Sequence, residues 1–192
     1  MNKLTKAGIA GLFLSLTAVL ASCGSSSETS SDTVAVTADV FPVTVGDLTL
    51  DAQPTRIISL SPTATEMLYA IGAGSQVVAV DEYSNYPAEA VALGTPLSGF
   101  EPNIEAISGY TPDLVIISYD PGSLVEQLST LDIPVFVAGA AMSIENVYEQ
   151  IEQLGVLTGN SQKAIEVSKT LQAGIEEAVA SVQFSDPPLS YY

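Results

Sequence analysis

The chain has no histidine, no tryptophan, one cysteine and only five lysines and arginines among its 192 residues. Without histidine there is no imidazole general base, no Ser-His-Asp or Cys-His arrangement, and no zinc site built on His ligands. A lone cysteine excludes an internal disulfide. Five basic residues face 22 acidic ones, a net charge of −17, so the clustered positive surface that nucleic acid requires is missing. What is present is apolar: 47% of the residues, enough for one substantial core and too much for a wholly disordered chain.

The first residues read as an address. Lys3 and Lys6 precede an apolar run from Ala7 to Leu20, which ends in Leu20-Ala21-Ser22-Cys23. A basic start, a short apolar stretch and small residues describe an export signal, and the run falls short of the ~20 residues a membrane-spanning helix needs. The Cys23 context resembles the lipobox of bacterial lipoproteins, which implies cleavage after residue 22 and a diacylglycerol on the Cys23 thiol. An uncleaved anchor with an incidental cysteine is the alternative. Residues 23–39 are rich in Ser and Thr and read as a flexible tether, because they offer little apolar surface to bury. From Ile57 to Gln162 no basic side chain occurs. Anionic head groups repel such a body, so the lipid would hold it at the outer membrane face.

Short apolar strands alternate with amphipathic helices over residues 40–160. Phe41–Leu50 suggests a hairpin around Gly46-Asp47. Arg56–Ser61, Val77–Val80, Asp113–Ser118 and Pro134–Ala138 read as buried strands. A helix starts at Pro62, with Thr63 to Glu66 as its capping box and Ala64, Met67, Leu68 and Ile71 on its apolar face. Asn103–Ser108 reads as a short helix. Another carries Leu124, Leu128 and Leu131, and a third, capped by Ser143, carries Ile144, Val147, Tyr148, Ile151 and Leu154. Strands apolar on both faces with helices between them predict an α/β, Rossmann-like lobe with a central parallel sheet.

Residues 161–182 predict a helix ~30 Å long, with Ile165, Leu171, Ile175, Val179 and Val182 along one side. Asp186-Pro187-Pro188 ends it, and Leu189-Ser190-Tyr191-Tyr192 reads as an opening strand. A terminal helix with a frayed tail is the plain alternative to a spacer leading toward a second lobe, over residues 183–192.

Four stretches carry a resemblance: Arg56-Ile-Ile-Ser-Leu-Ser-Pro-Thr-Ala-Thr-Glu66, Val78-Ala-Val-Asp-Glu-Tyr-Ser-Asn-Tyr-Pro87, Asn103-Ile-Glu105 and Thr111-Pro-Asp-Leu-Val115. In this order they resemble the iron-siderophore/vitamin B12 family of ABC-transporter substrate-binding proteins, and the first two are closest to cobalamin binders. The resemblance implies two α/β lobes joined by one long rigid helix, ligand held between them, no catalysis, and delivery to a permease powered by an ATPase. This chain matches the first lobe and the connecting helix; the second lobe would be missing. By resemblance Tyr83 is an aromatic ligand contact, and Phe100 and Tyr119 lie near positions where cobalamin binders carry tryptophan. Gapless matching sets Gly99, rather than Phe100, opposite one of these. Glu105 matches a glutamate that pairs with permease arginines, with Glu101 a second docking candidate.

Ligands of open parallel sheets approach the loops beyond the strands' carboxyl ends. That adds Ser61, Thr63 and Tyr86 as candidate contacts, with Ala140–Met142 on a further such loop. Tyr86 is weighed against bracing the Pro87 turn, and Glu66 is assigned to helix capping. Gly72-Ala73-Gly74 follows a helix, so it ends that helix and binds no dinucleotide. No calcium loop or other metal site of the chain itself is expected, and no cofactor. The cargo implied is a metal chelate. Ferric catecholates want arginines, and the lobe's one arginine, Arg56, begins a strand. A corrinoid or a neutral to cationic hydroxamate chelate fits an acidic lobe better. A non-transport surface lipoprotein, sensor or adhesion module, is the alternative function. A small hydrolase lacks both His and the Gly-x-Ser-x-Gly elbow.

Overall fold

A computed structural model describes residues 39–182. The expected signal peptide 1–22, Cys23 with nearly all of the tether, and the tail 183–192 lie outside the described residues.

The first strands, β1 (Val43–Val45) and β2 (Leu48–Leu50), form the expected antiparallel hairpin. β3 (Ile57–Leu60), β4 (Val77–Val80), β5 (Leu114–Ile117) and β6 (Val135–Val137) form a parallel sheet in the order β4-β3-β5-β6. β3 and β5 are buried along their whole lengths, which is why both read as unbroken apolar runs. Their register pairs Ile57 with Leu114 and Leu60 with Ile117. Asp113 fixes it from below: its carboxylate accepts from the Thr55 amide at 2.7 Å, the Thr55 hydroxyl at 2.9 Å and the Arg56 amide at 2.8 Å. The Arg56 guanidinium donates to the Tyr110 carbonyl at 2.6 Å. The chain's one arginine is therefore held at the amino-terminal end of β3. β6 departs from the expected buried strand, since it lies at the sheet edge and Val137 is exposed.

The helices are α1 (Pro62–Ala70), α2 (Ala88–Val91), α3 (Ile104–Gly109), α4 (Leu124–Ser129), α5 (Ile144–Thr158) and α6 (Ser161–Ser181). Three differ from the sequence reading. Ser61, not the Thr63–Glu66 box, caps α1: its hydroxyl accepts from the Ala64 amide at 3.3 Å, and Glu66 lies exposed within the helix. With Pro62 already in the first turn, the residue before it is the one positioned to cap. α4 stops before Leu131, which is exposed. On α6 the buried residues are Ala164 and Ser168, whereas Leu171, Ile175, Val179 and Val182 are exposed. α2 and the 3-10 turns Gly74–Gln76 and Pro121–Ser123 were not anticipated, being too short to show a period.

The sheet carries a core on each face. Ile57, Leu114 and Ile116 pack with Leu68, Ile71, Ile151, Leu154 and Leu157 from α1 and α5, and the hairpin residues Val43, Val45 and Leu50 join them. Ile58, Leu60, Val115 and Ile117 pack on the other face with Ile107, Leu124 and Leu128. Each such side chain contributes ~1.5–3 kcal/mol by leaving water.

α5 and α6 meet through Gly155 and Ala164. A Cβ on Gly155 would collide with the Ala164 methyl and lie 3.2 Å from Ser161 Cα, so only glycine allows this approach. The corner between the helices is tied at the Thr158 carbonyl, which accepts from Gln53 Nε2 (2.8 Å), Gln76 Nε2 (3.1 Å) and Asn160 Nδ2 (3.0 Å). Asp39 is not slack: its Oδ2 accepts from the Ser161 amide at 2.9 Å, at the start of α6.

Candidate ligand-binding site

The connections from β3 lead to β4 on one side and the chain returns as β5 on the other. A crevice therefore opens beyond the carboxyl ends of these strands, where the strand order reverses. It is a cavity of about 300 Å³, at the small end of the ~300–1,000 Å³ usual for ligand sites. Leu60 and Asp81, both buried, come from the ends of β3 and β4. Tyr83, Phe100 and Tyr119 line it from three separate loops.

These rings form one aromatic group. Tyr83 and Phe100 meet edge to face with centroids 5.4 Å apart, and Phe100 and Tyr119 are tilted at 6.2 Å. They are nevertheless 56%, 62% and 43% exposed. Three large rings left together in water at the mouth of a crevice form a surface suited to a flat apolar partner.

The loops are held by short side chains. Asp81 Oδ1 accepts from the amides of Tyr83 (2.8 Å) and Ser84 (2.9 Å), which turns the chain so that Tyr83 stands out. The Ser84 hydroxyl meets Thr65 Oγ1 at 2.9 Å, and Thr65 donates to Ser59 Oγ at 2.8 Å. This buried chain of hydroxyls ties the Tyr83 loop to α1 and β3. Ser98 does the same for Phe100: its hydroxyl accepts from the Phe100 and Glu101 amides at 3.3 and 3.2 Å and donates to Glu82 Oε1 at 2.9 Å.

Asp81 was not singled out in the sequence, although it is only 3% exposed. Burial pushes its carboxyl above the ordinary aspartate range, against the Tyr83 and Ser84 amides and the Ser84 hydroxyl, with Glu82 adding a smaller upward push. The signal that could have found it is its place directly after an apolar strand, two residues before the exposed Tyr83.

The structure brings together three of the expected contacts, Tyr83, Phe100 and Tyr119, and Gly99 lines the crevice beside Phe100. Three others lie elsewhere. Ser61 is buried and caps α1. Thr63 and Tyr86 line a different groove, against Met67 of α1, Val147 of α5 and Leu171 of α6. Met142 extends into solvent beyond the edge strand. Glu105 is exposed in the first turn of α3, which Asn103 caps by accepting from the Ala106 amide at 3.0 Å, and Glu101 is exposed next to Phe100. Among the described residues no group of three or more His, Cys, Asp or Glu could hold a metal ion.

The profile of the periplasmic binding protein family matches residues 57–192. The chain belongs to that family. This family member is 30% identical over 181 residues to the ABC transporter substrate-binding lipoprotein YvrC of Bacillus subtilis (strain 168), covering 90% of this chain and 57% of YvrC. It is 33% identical over 164 residues to a cobalamin-binding protein of Halobacterium salinarum, covering 79% of this chain and 44% of the relative. Among solved structures, the periplasmic vitamin B12 binding protein BtuF of Vibrio cholerae superposes with a TM-score of 0.58 at 32% identity, over 68% of this chain and 53% of that one. The chain thus spans about half the length of the curated relatives it matches.

Proposed function

We propose that this chain forms the ligand-holding lobe of a substrate-binding protein for an ABC importer, and that its cargo is a large metal chelate, a corrinoid in preference to a ferric siderophore or haem. The observation that carries this reading is the exposed group of Tyr83, Phe100 and Tyr119 at the strand-order reversal. It offers a wide apolar contact on one side, as a jaw does, and a second lobe beyond α6 would close on the other. Charge supports a corrinoid over an anionic catecholate, because Arg56 is fixed at the opposite end of β3 and no other basic residue lies between Ile57 and Gln162. The names of the Halobacterium and Vibrio relatives support the same choice.

In this reading Cys23 carries the lipid that keeps the protein at the outer face of the cytoplasmic membrane. Glu105, with Glu101 beside the crevice mouth, meets basic residues of the permease. Exposed carboxylates steer and orient such a transient partner. Binding and release replace catalysis.

The test is a titration of the intact protein with cyanocobalamin, read by quenching of tyrosine emission, which no tryptophan obscures. Saturable quenching is expected. No response to cyanocobalamin, ferrioxamine B or hemin would remove the uptake reading.

A further inference from the structure

Among the described residues Asp81 makes no ion pair. It is 3% exposed, the chain has no basic residue from Ile57 to Gln162, and Arg56 is engaged at the far end of β3. Burying an uncompensated carboxylate is expensive, and the loop turn it makes needs only one oxygen. Both backbone amides reach that one, Oδ1. The other, Oδ2, lies beside Gly99, where a Cβ would come within 3.3 Å of it and within 2.8 Å of the Leu60 carbonyl. Gly99 and Asp81 both line the crevice. With no side chain at 99, Oδ2 keeps room on its Gly99 side, and Asp81 lines the same crevice as Tyr83, Phe100 and Tyr119.

We propose that Asp81 is the polar specificity element of this crevice, accepting a hydrogen bond from an N–H or O–H on the rim of the bound chelate and disfavouring chelates whose rim carries carboxylates there. The proposal rests on the reading of the crevice as the ligand site. It adds a rule about ligand chemistry that the aromatic rings, which grip any flat face, do not supply. A buried acceptor discriminates strongly because the wrong partner leaves it unpaired.

The substitution Asp81→Asn tests it by inversion. The amide keeps an oxygen for the Tyr83 and Ser84 N–H groups and puts an N–H donor where Oδ2 stood. Affinities of the intact protein and of the variant are measured by calorimetry for three probes: cyanocobalamin with its edge amides, cationic ferrioxamine B, and hemin with its two carboxylates. The variant should bind cyanocobalamin and ferrioxamine B roughly tenfold or more weakly, while hemin binds as before or tighter. Equal shifts for all probes, no shift, or binding of hemin alone by the unsubstituted protein overturns the proposal. Asp81→Ser serves if the Asn variant fails to fold, and should likewise reduce the ratio of cyanocobalamin to hemin affinity. Tyr83→Ala separates the two levels. It should weaken every probe that binds; if it changes none, or if no probe binds the unsubstituted protein, the crevice reading itself fails. If it weakens them while substitution of Asp81 leaves their ratios unchanged, only the role of Asp81 fails.

Discussion

At the residue scale, short polar side chains decide how the crevice is held. Burial raises the Asp81 carboxyl above the ordinary aspartate range, so its protonation couples to stability. The folded protein binds this proton more tightly than the unfolded chain. Stability from the group is therefore complete below the ordinary aspartate range and is lost as pH rises through the raised value. Thermal melts of the unsubstituted protein and Asp81→Asn across about pH 4 to pH 7 should show the former losing ground to the variant as pH rises. A difference independent of pH would show that the carboxylate is not destabilised. Thr65 is the middle of the hydroxyl chain from Ser59 to Ser84. Thr65→Val keeps the shape and removes the link between Ser59 and Ser84, though Ser59 still donates to the Ser61 carbonyl, so urea unfolding should show a loss of about 1 kcal/mol. Tyr83 was named in the sequence through its motif; Asp81 was marked only by its place after an apolar strand, which says nothing of how deeply the carboxylate is buried.

At the element scale, the fold was largely legible. Ile57–Leu60 and Leu114–Ile117 were apolar on both faces because both faces are covered. Patterns failed where an element is only partly covered. The sequence of β6 reads like that of β5, yet an edge position leaves Val137 in water. The long helix kept its span, but its contact face runs through Ala164 and Ser168 instead of the larger residues. Close helix approach selects small residues, which a search for large apolar ones overlooks. Gly155 is the other half of that contact. Gly155→Leu should cost about 1–3 kcal/mol through overpacking, whereas exchanging the pair, Gly155→Ala with Ala164→Gly, should recover most of the stability lost by Gly155→Ala alone. Denaturant titration of the single and double variants checks both.

At the scale of the whole molecule, two surfaces stand out. One reflects the balance of 22 acidic against five basic residues; the other is the apolar side of α6 beyond Ser168, where Leu171, Ile175 and Val179 are exposed. Exposed apolar residues at helical spacing favour association. The purified 192-residue chain should sediment with a concentration-dependent mass, and Leu171→Glu with Ile175→Lys should reduce it; a monomer at all concentrations would contradict this. The acidic surface gives a separate expectation about the membrane. Cys23→Ser should release the protein from the membrane fraction, since a body with 22 acidic residues gains nothing from anionic lipid.

By itself the sequence determined the order of strands and helices, the parallel α/β class and the length of the last helix. Periodicity and apolar runs report burial locally, residue by residue along the chain. Only the tertiary structure decided that residues 83, 100 and 119 share one crevice while 63 and 86 face another groove, and that the buried Asp81 has its Oδ2 beside Gly99. Those relations depend on which strand lies beside which, and on loops whose directions are set by hydrogen bonds to Asp81 and Ser98 instead of by any repeating pattern.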